Sequence, residues 1–434
     1  MNYAETLSYL YAKLPIFSRT GAAAIKEGLG NIAELCASLG DPHKKFPTIH
    51  VAGTNGKGST SHMLAAIFQV AGYKTGLYTS PHLHDFRERI RIDGEMISEQ
   101  QVIGFVDRIN PLIEKLQPSF FEVTVAMAFD LFASQAVDIA IIEVGLGGRL
   151  DSTNIITPEL SVITNISWDH MNLLGDTLEK IATEKAGIIK KSVPVVVGEL
   201  DERTAAIFEL AAHRMEAEIV FASDHRLVTD WQYDDHFMVA EVSRLHSDVK
   251  STYKLDLPGI YQHKNLVTVL EAVKLLEEKW KIEEAHVQKA LMQVKKLTGL
   301  YGRWETIHLH PRIVLDVAHN EAGISSLVEQ VELSSFHNLR IVIGMVKDKE
   351  IDVVLSLLPG KAKYYFTKAT IPRALNENEL QAKAREYELN GHAYPNVNDA
   401  LRAALNESNA DDLILVCGSV FVVGEVDRKL HSSY

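Results

Sequence analysis

The chain has 434 residues, 44 Lys and Arg against 57 Asp and Glu, and a formal net charge of −13. That length calls for two or three domains, and 46% hydrophobic with 23% charged residues is a globular composition. The acidic balance argues against a general nucleic-acid binder, which needs clustered Lys and Arg, yet leaves room for a local basic pocket.

Only Cys36 and Cys417 are present, so a disulfide framework is not expected and a reducing compartment fits. The start, Met1-Asn-Tyr-Ala-Glu5, lacks the basic and apolar segments of a signal peptide. The most apolar stretch, Phe120 to Leu146, is broken by Glu122, Asp130, Asp138 and Glu143. It falls short of the roughly 18 uninterrupted apolar residues a membrane helix needs. The expectation is a cytoplasmic protein with neither membrane nor nucleic acid as partner.

Thr48 to Ala52 is short, apolar and partly β-branched, and reads as a strand. Residues 58–71 follow an amphipathic helical pattern through Met63, Leu64, Ile67, Phe68 and Val70. Between them lies Gly53-Thr54-Asn55-Gly56-Lys57-Gly58-Ser59. Glycines let backbone N–H groups approach an anion, a helix N-terminus adds a favourable dipole, and Lys57 adds a point charge. This is the chemistry of a phosphate loop, set against a plain Gly-rich turn. The general pattern Gly-x-x-x-x-Gly-Lys-[Ser/Thr] is met only in part. Val51 stands at its first glycine and Gly58 follows the lysine, so a metal-binding hydroxyl would come from Ser59 or Thr60.

Further on, strands are expected at 74–79, 138–144, 160–165 and 193–197, with helices at 101–116, 121–135 and 178–190. Buried strands interleaved with helices predict a doubly wound, mostly parallel sheet, whose ligands sit beyond the carboxyl ends of strands. Arg87-Glu-Arg-Ile-Arg91 is the densest basic patch and reads either as part of a binding pocket or as one face of an exposed hairpin. Short β-like pieces at 218–221, 236–241 and 253–257 predict an antiparallel excursion, and helices follow at 263–278 and 283–295. The βα rhythm restarts after Leu297-Thr-Gly-Leu-Tyr301, with strands at 312–316, 339–344, 362–366 and 412–417 and helices at 321–333, 350–357, 376–388 and 397–407. The fold class is therefore α/β: a P-loop-type doubly wound domain over 1–298 and a second, smaller α/β domain over 299–434.

Polar clusters punctuate the strand ends: Tyr78-Thr-Ser-Pro-His-Leu83, Glu143 to Asn154, Thr164-Asn-Ile-Ser-Trp-Asp-His170, Glu184-Lys-Ala-Gly-Ile188, Gly302-Arg-Trp-Glu305 and Leu315-Asp-Val-Ala-His-Asn320. With the loop at 53–59, in this order, they resemble the folylpolyglutamate synthase and dihydrofolate synthase family of the Mur-ligase class, from about residue 20 to about 425. The resemblance implies an ATP- and Mg2+-dependent ligase. ATP phosphorylates a substrate carboxylate, and the amine of L-glutamate attacks the acyl phosphate to give an amide. The substrate would be dihydropteroate, tetrahydrofolate or both, and the enzyme a monomer.

By the same resemblance, Gly53 to Ser59 bind ATP with Asn265, Arg303 and Asp316. Ser59, Ser80, Glu143 and His170 lie at metal-ligand positions, joined by Lys185 if that lysine is carbamylated. Lys57, His170, Lys185 and His319 are the catalytic candidates. His319 would contact phosphate or assist proton removal from the incoming amine. Phe120, Phe121, Glu122, Leu150, Asp151 and Ser152 would line the pterin site. Structural alternatives stand beside these: Ser80 as a turn, Glu143 as an ordinary strand-end carboxylate, His170 or Asn265 as a helix cap, Lys185 as an exposed helix lysine, and Phe120 and Phe121 as core.

The chain departs from the family at Tyr261, Tyr301 and Val317, which touches details of the nucleotide pocket. A ligase acting on a cell-wall nucleotide would carry an extra N-terminal domain, for which a phosphate loop at residue 53 leaves no room. A nucleotide-binding switch would not need Glu143, His170, Lys185, Asp316 and His319 spread over two domains.

Overall fold

The computed structural model describes residues 1–430, apart from 17, 18, 20, 25, 27, 246 and 248. Among the described residues the strands form sheets of eight, three and six.

The largest sheet has β1 (Thr48–Ala52) near its centre, β2 (Thr75–Tyr78), β3 (Ile90–Ile92), β4 (Glu95–Met96) and β5 (Ile139–Glu143) on one side, and β6 (Leu160–Ile163), β7 (Val195–Val197) and β8 (Ile219–Phe221) on the other. Its order is β4-β3-β2-β5-β1-β6-β7-β8. All pairings are parallel except β2 with β3 and β3 with β4. The chain works to one side of β1 and then to the other, so the loop after β1 lies at the switch point where such sheets bind ligands. Alternation along the strands feeds two cores. Ile139 and Ile141 pack with the helices Lys57–Val70 and Gln262–Trp280, while Ala140 and Ile142 pack with Glu99–Leu116 and Phe120–Ser134. The helix Lys57–Val70, expected to be amphipathic, is buried all round from Gly58 to Phe68 because helices cover the face turned away from the sheet.

Two expectations need correction. The piece at 218–221 is not antiparallel: it pairs parallel with β7, because the unanticipated helix Ala205–Arg214 supplies the crossover that parallel strands require. The antiparallel sheet begins later, with β9 (Arg226–Tyr233), β10 (Met238–Arg244) and β11 (Lys250–Leu255). Nor is 87–91 one exposed hairpin face. Phe86–Arg89 is a short 3-10 helix, only Ile90 and Arg91 enter the β3–β4 hairpin, and Arg89 and Arg91 are each 8% exposed. Arg89 donates to His82 Nδ1 at 2.8 Å and lies over the Phe120 ring; Arg91 donates to Gly94 O at 2.8 Å.

The six-stranded sheet runs β12 (Glu305–Leu309), β13 (Arg312–Leu315), β17 (Leu413–Cys417), β14 (Leu339–Ile343), β15 (Lys363–Phe366) and β16 (Gly391–Ala393) in space. It is parallel apart from the β12–β13 pair. β12 and β16 are additions to the strands read from sequence.

Candidate active site

The loop after β1 is a backbone device. Gly53 and Gly56 have φ of +141° and +83°, and a Cβ there would lie 1.8 Å from Thr164 Oγ1 and 2.2 Å from Asn265 Oδ1. Both the conformation and the space therefore require glycine. The strand-end segment after β6 holds the loop. Thr54 N donates to Asn165 O at 2.9 Å, Asn55 N to Asn165 Oδ1 at 3.0 Å, and Ser167 N to Thr54 Oγ1 at 3.0 Å. Lys57 opens the helix, and its Nζ donates back to Gly53 O and Thr54 O, each at 3.0 Å. Burial lowers its pKa, with Glu143 and Asp169 opposing the shift.

Around this loop stand groups from distant segments. Val51 pairs with Glu143 across β1 and β5, which sets the carboxylate beside the loop. Glu143 is 4% exposed, and its Oε2 accepts from Ser80 N at 2.9 Å. Burial raises its pKa against the pull of Lys57. Ser59 accepts from Gln262 Nε2 at 3.1 Å, and Gln262 accepts from Asn265 Nδ2 at 2.8 Å, so the first turn of Gln262–Trp280 abuts the loop. Arg303 Nη2 would be 3.4 Å from a Cβ on Gly58. Lys185, from the helix Leu178–Ala186, is not exposed: its Nζ donates to Gly53 O at 2.8 Å, and burial followed by Lys57 lowers its pKa to about 7. Burial lowers His170 to about 3, so its ring is neutral, and it borders a cleft of about 250 Å³ with His319 and Lys349.

The six-stranded sheet contributes Asp316 from the end of β13. Its Oδ2 accepts from Tyr261 OH at 2.7 Å and Trp304 N at 2.8 Å, and its Oδ1 from Ala318 N at 2.8 Å. Asp316 thus fixes the turn that carries Arg303. His319 Nδ1 lies 2.9 Å from Val317 O, and its Nε2 lies 3.3 Å from Asp169 Oδ2. Burial opposes ionisation of Asp169, but the hydrogen bond and charge of His319, with Lys349 and His170, hold its carboxyl well below the usual range.

Sequence reasoning passed over Asp169, Asn165, Asn320 and Lys349 as site residues, and met Tyr261 only as a departure from the family in the nucleotide pocket. Asp169, Asn165 and Asn320 lay inside the polar clusters at strand ends, and Lys349 stands in a charged run after a strand, Lys347-Asp-Lys-Glu350.

The pterin-side candidates occupy mixed settings. Phe120 is 4% exposed and packs on Tyr11 and Phe86. Phe121 lies against Gly145, where a Cβ would be 2.4 Å from its ring. Glu122 caps its own helix, accepting from Ser119 N at 2.6 Å and Ser119 Oγ at 2.9 Å. Asp151 accepts from Leu146 N at 2.8 Å and Thr153 N at 3.0 Å, tying down its loop, and burial raises its pKa. Ser152 opens the 3-10 turn Ser152–Ile155, and Leu150 is 47% exposed.

Two family models match: the Mur ligase middle domain over residues 51–273, and the Mur ligase glutamate ligase domain over residues 302–420. The chain is 32% identical to the dihydrofolate synthase/folylpolyglutamate synthase of Bacillus subtilis over 444 residues, covering 99% of each. It is also 32% identical to the Escherichia coli protein of the same name, covering 97% of this chain and 96% of that one. Among solved structures, E. coli FolC in complex with DHPP and ADP aligns with a TM-score of 0.85 at 30% identity, covering 100% and 98%. Mycobacterium tuberculosis folylpolyglutamate synthase complexed with ADP and AMPPCP aligns at 0.86 and 30%, covering 98% of each. No helix among the described residues is long and apolar enough to cross a membrane. The chain belongs to the folylpolyglutamate synthase/dihydrofolate synthase family, ATP-dependent folate–glutamate ligases built on Mur-ligase domains.

Proposed function

We propose that this protein carries both family activities, joining L-glutamate to dihydropteroate and adding further glutamates to tetrahydrofolate. The observation that carries the ligase chemistry is the convergence of Lys57, Glu143 and Arg303 on one glycine loop at the sheet's switch point. ATP binds with its phosphates on the N–H groups of residues 53–59 and its base toward Asn265. Lys57 leaves the carbonyls of Gly53 and Thr54 for the phosphates, and Arg303 offers its fork of donors from the other lobe. Asp316 holds that arginine's turn.

Magnesium fits the oxygens at hand. Ser59, Ser80 and Glu143 are hard donors, and a buried carboxylate gains from a cation beside it. No group of three or more His, Cys, Asp and Glu suited to a metal occurs among the described residues. Magnesium needs few protein ligands, since it keeps several waters. His170, held neutral, has the imidazole form that ligates, and the ions would neutralise charge developing on the phosphates. Lys185 supports the carbamate reading: with a pKa of about 7, much of its amine is neutral at physiological pH, and the neutral amine is the form that adds CO2.

The γ-phosphoryl group passes to the pterin-side carboxylate, the glutamate amine attacks the acyl carbon, and phosphate leaves as the amide forms. His319 stands with Nδ1 toward Val317 O and Nε2 toward Asp169 Oδ2, where it contacts phosphate or assists proton removal from the incoming amine. The pterin lies toward Phe121, Leu150 and Ser152, with Glu122 and Asp151 shaping the pocket through their turns and Phe120 behind it. We place the domain boundary between residues 298 and 299, the protein in the cytoplasm, and its working form as a monomer.

The test is purified protein with ATP and glutamate, given dihydropteroate in one reaction and tetrahydrofolate in another, with products identified by mass. Phosphate release should require both pterin and glutamate. Release with neither would overturn the ligase reading, and product from one pterin alone would remove the dual activity.

A further inference from the structure

The cleft holds a charge cluster that these roles leave unexplained. Asp169 follows β6 in the N-terminal lobe, and its side chain is 9% exposed. Its partners come mainly from the other lobe. Oδ1 pairs with the Lys349 ammonium, itself 7% exposed. Oδ2 accepts from Asn320 Nδ2 at 3.1 Å and stands 3.3 Å from His319 Nε2. Lys349 lies beyond β14, and His319 and Asn320 lie beyond β13, so one carboxylate gathers two loops. The network reaches the phosphate loop as well: Asn55 and Asn320 exchange amide hydrogen bonds at 3.2 and 3.1 Å.

Buried charges are tolerated when paired, and removing one partner strands the other. Asp169 and Lys349 belong to different lobes, so opening the cleft would part them and return both to water, where such a pair contributes little. Their attraction therefore acts on the angle between lobes rather than on either lobe's own fold.

We infer that Asp169 is a positioning residue for the ligation, which gathers Lys349, His319 and Asn320 to set the closed alignment of the C-terminal lobe over the phosphate loop. This rests on the ligase reading above. In this role Asp169 works through the residues it gathers. Loss of the clamp should leave nucleotide capture by the N-terminal lobe intact and reduce turnover, because Arg303 reaches the phosphates only when the lobes meet.

The experiment is a double-mutant cycle on the full-length enzyme with Asp169→Asn, Lys349→Met and the pair, following kcat, KM for ATP, magnesium dependence and thermal midpoint. Each single change should lower kcat about a hundredfold and move KM for ATP less than about threefold. The double variant should fall within about threefold of the weaker single, since both changes break one contact. In small-angle scattering, saturation with pterin and a non-hydrolysable ATP analogue should compact the wild type but not Asp169→Asn. Multiplying losses in the double variant would overturn the clamp. So would a raised magnesium requirement without coupling to Lys349, or a lowered thermal midpoint with kcat per folded molecule unchanged. Absence of ligation by the wild type would instead defeat the functional reading on which the clamp rests.

Discussion

Replacing Lys185 with methionine should raise stability while removing activity. The amine is buried and donates to Gly53 O at 2.8 Å, an oxygen that also accepts from Lys57 at 3.0 Å. Burial, then the Lys57 cation, lowers its pKa from 10.5 to about 7. At about 1.4 kcal/mol per pH unit, folding disfavours the protonated amine by about 5 kcal/mol. Loss of the bond to Gly53 O removes about 1 kcal/mol of stabilisation. Lys185→Met keeps the side-chain volume, so a net gain of about 3–4 kcal/mol is expected at pH 6.

The pH dependence has a definite sign. The unfolded chain keeps this proton up to about pH 10.5, whereas the folded chain keeps it only below about 7. Folding therefore releases a proton between those values, and wild-type stability should rise as pH climbs from 7 toward 10.5. The variant should lack that rise. Urea unfolding of both proteins in CO2-free buffer at pH 6, 8 and 9.5 measures the difference, and added bicarbonate should stabilise the wild type alone. A variant less stable than wild type at pH 6, or two parallel pH curves, would refute the reasoning.

Lys57→Ala should abolish ligation through lost phosphate contact, and near-normal turnover would remove the loop assignment. Glu143→Gln should raise the magnesium concentration for half-maximal rate while leaving the unfolding midpoint near that of wild type; an unchanged magnesium curve would exclude a ligand role. Tyr261→Phe removes a 2.7 Å bond to a buried carboxylate. It should lower kcat/KM for ATP about tenfold or more through a loosened Arg303 turn, as steady-state kinetics would reveal. Leu150 is 47% exposed, so Leu150→Ala should change stability by less than about 0.5 kcal/mol. If its side chain covers the pterin, KM for the pterin should still rise several-fold, and equal KM values would take Leu150 out of that site.

Much of this protein is written locally. The loop at 53–59 was legible because its function resides in backbone N–H groups, glycines and a helix start within a few residues. The strand ends at Glu143 and Asn165 followed from continuous apolar runs, and helix starts at Ser119 and Asn320 carry capping residues. Other features depend on residues far apart in the chain. Asp169 and Lys349 are separated by 180 positions, Tyr261 and Asp316 by 55. Arg89 and Arg91 sit in a densely charged stretch yet are buried, because the Phe120 ring, the His82 ring nitrogen and the Gly94 carbonyl receive them. Ile219–Phe221 has the composition of either sheet, and only its crossover helix made it parallel. Periodicity and turn chemistry report what a segment prefers on its own, whereas the partner of a buried charge is set by packing, which brings distant side chains within a few ångströms and removes the water that would otherwise satisfy them.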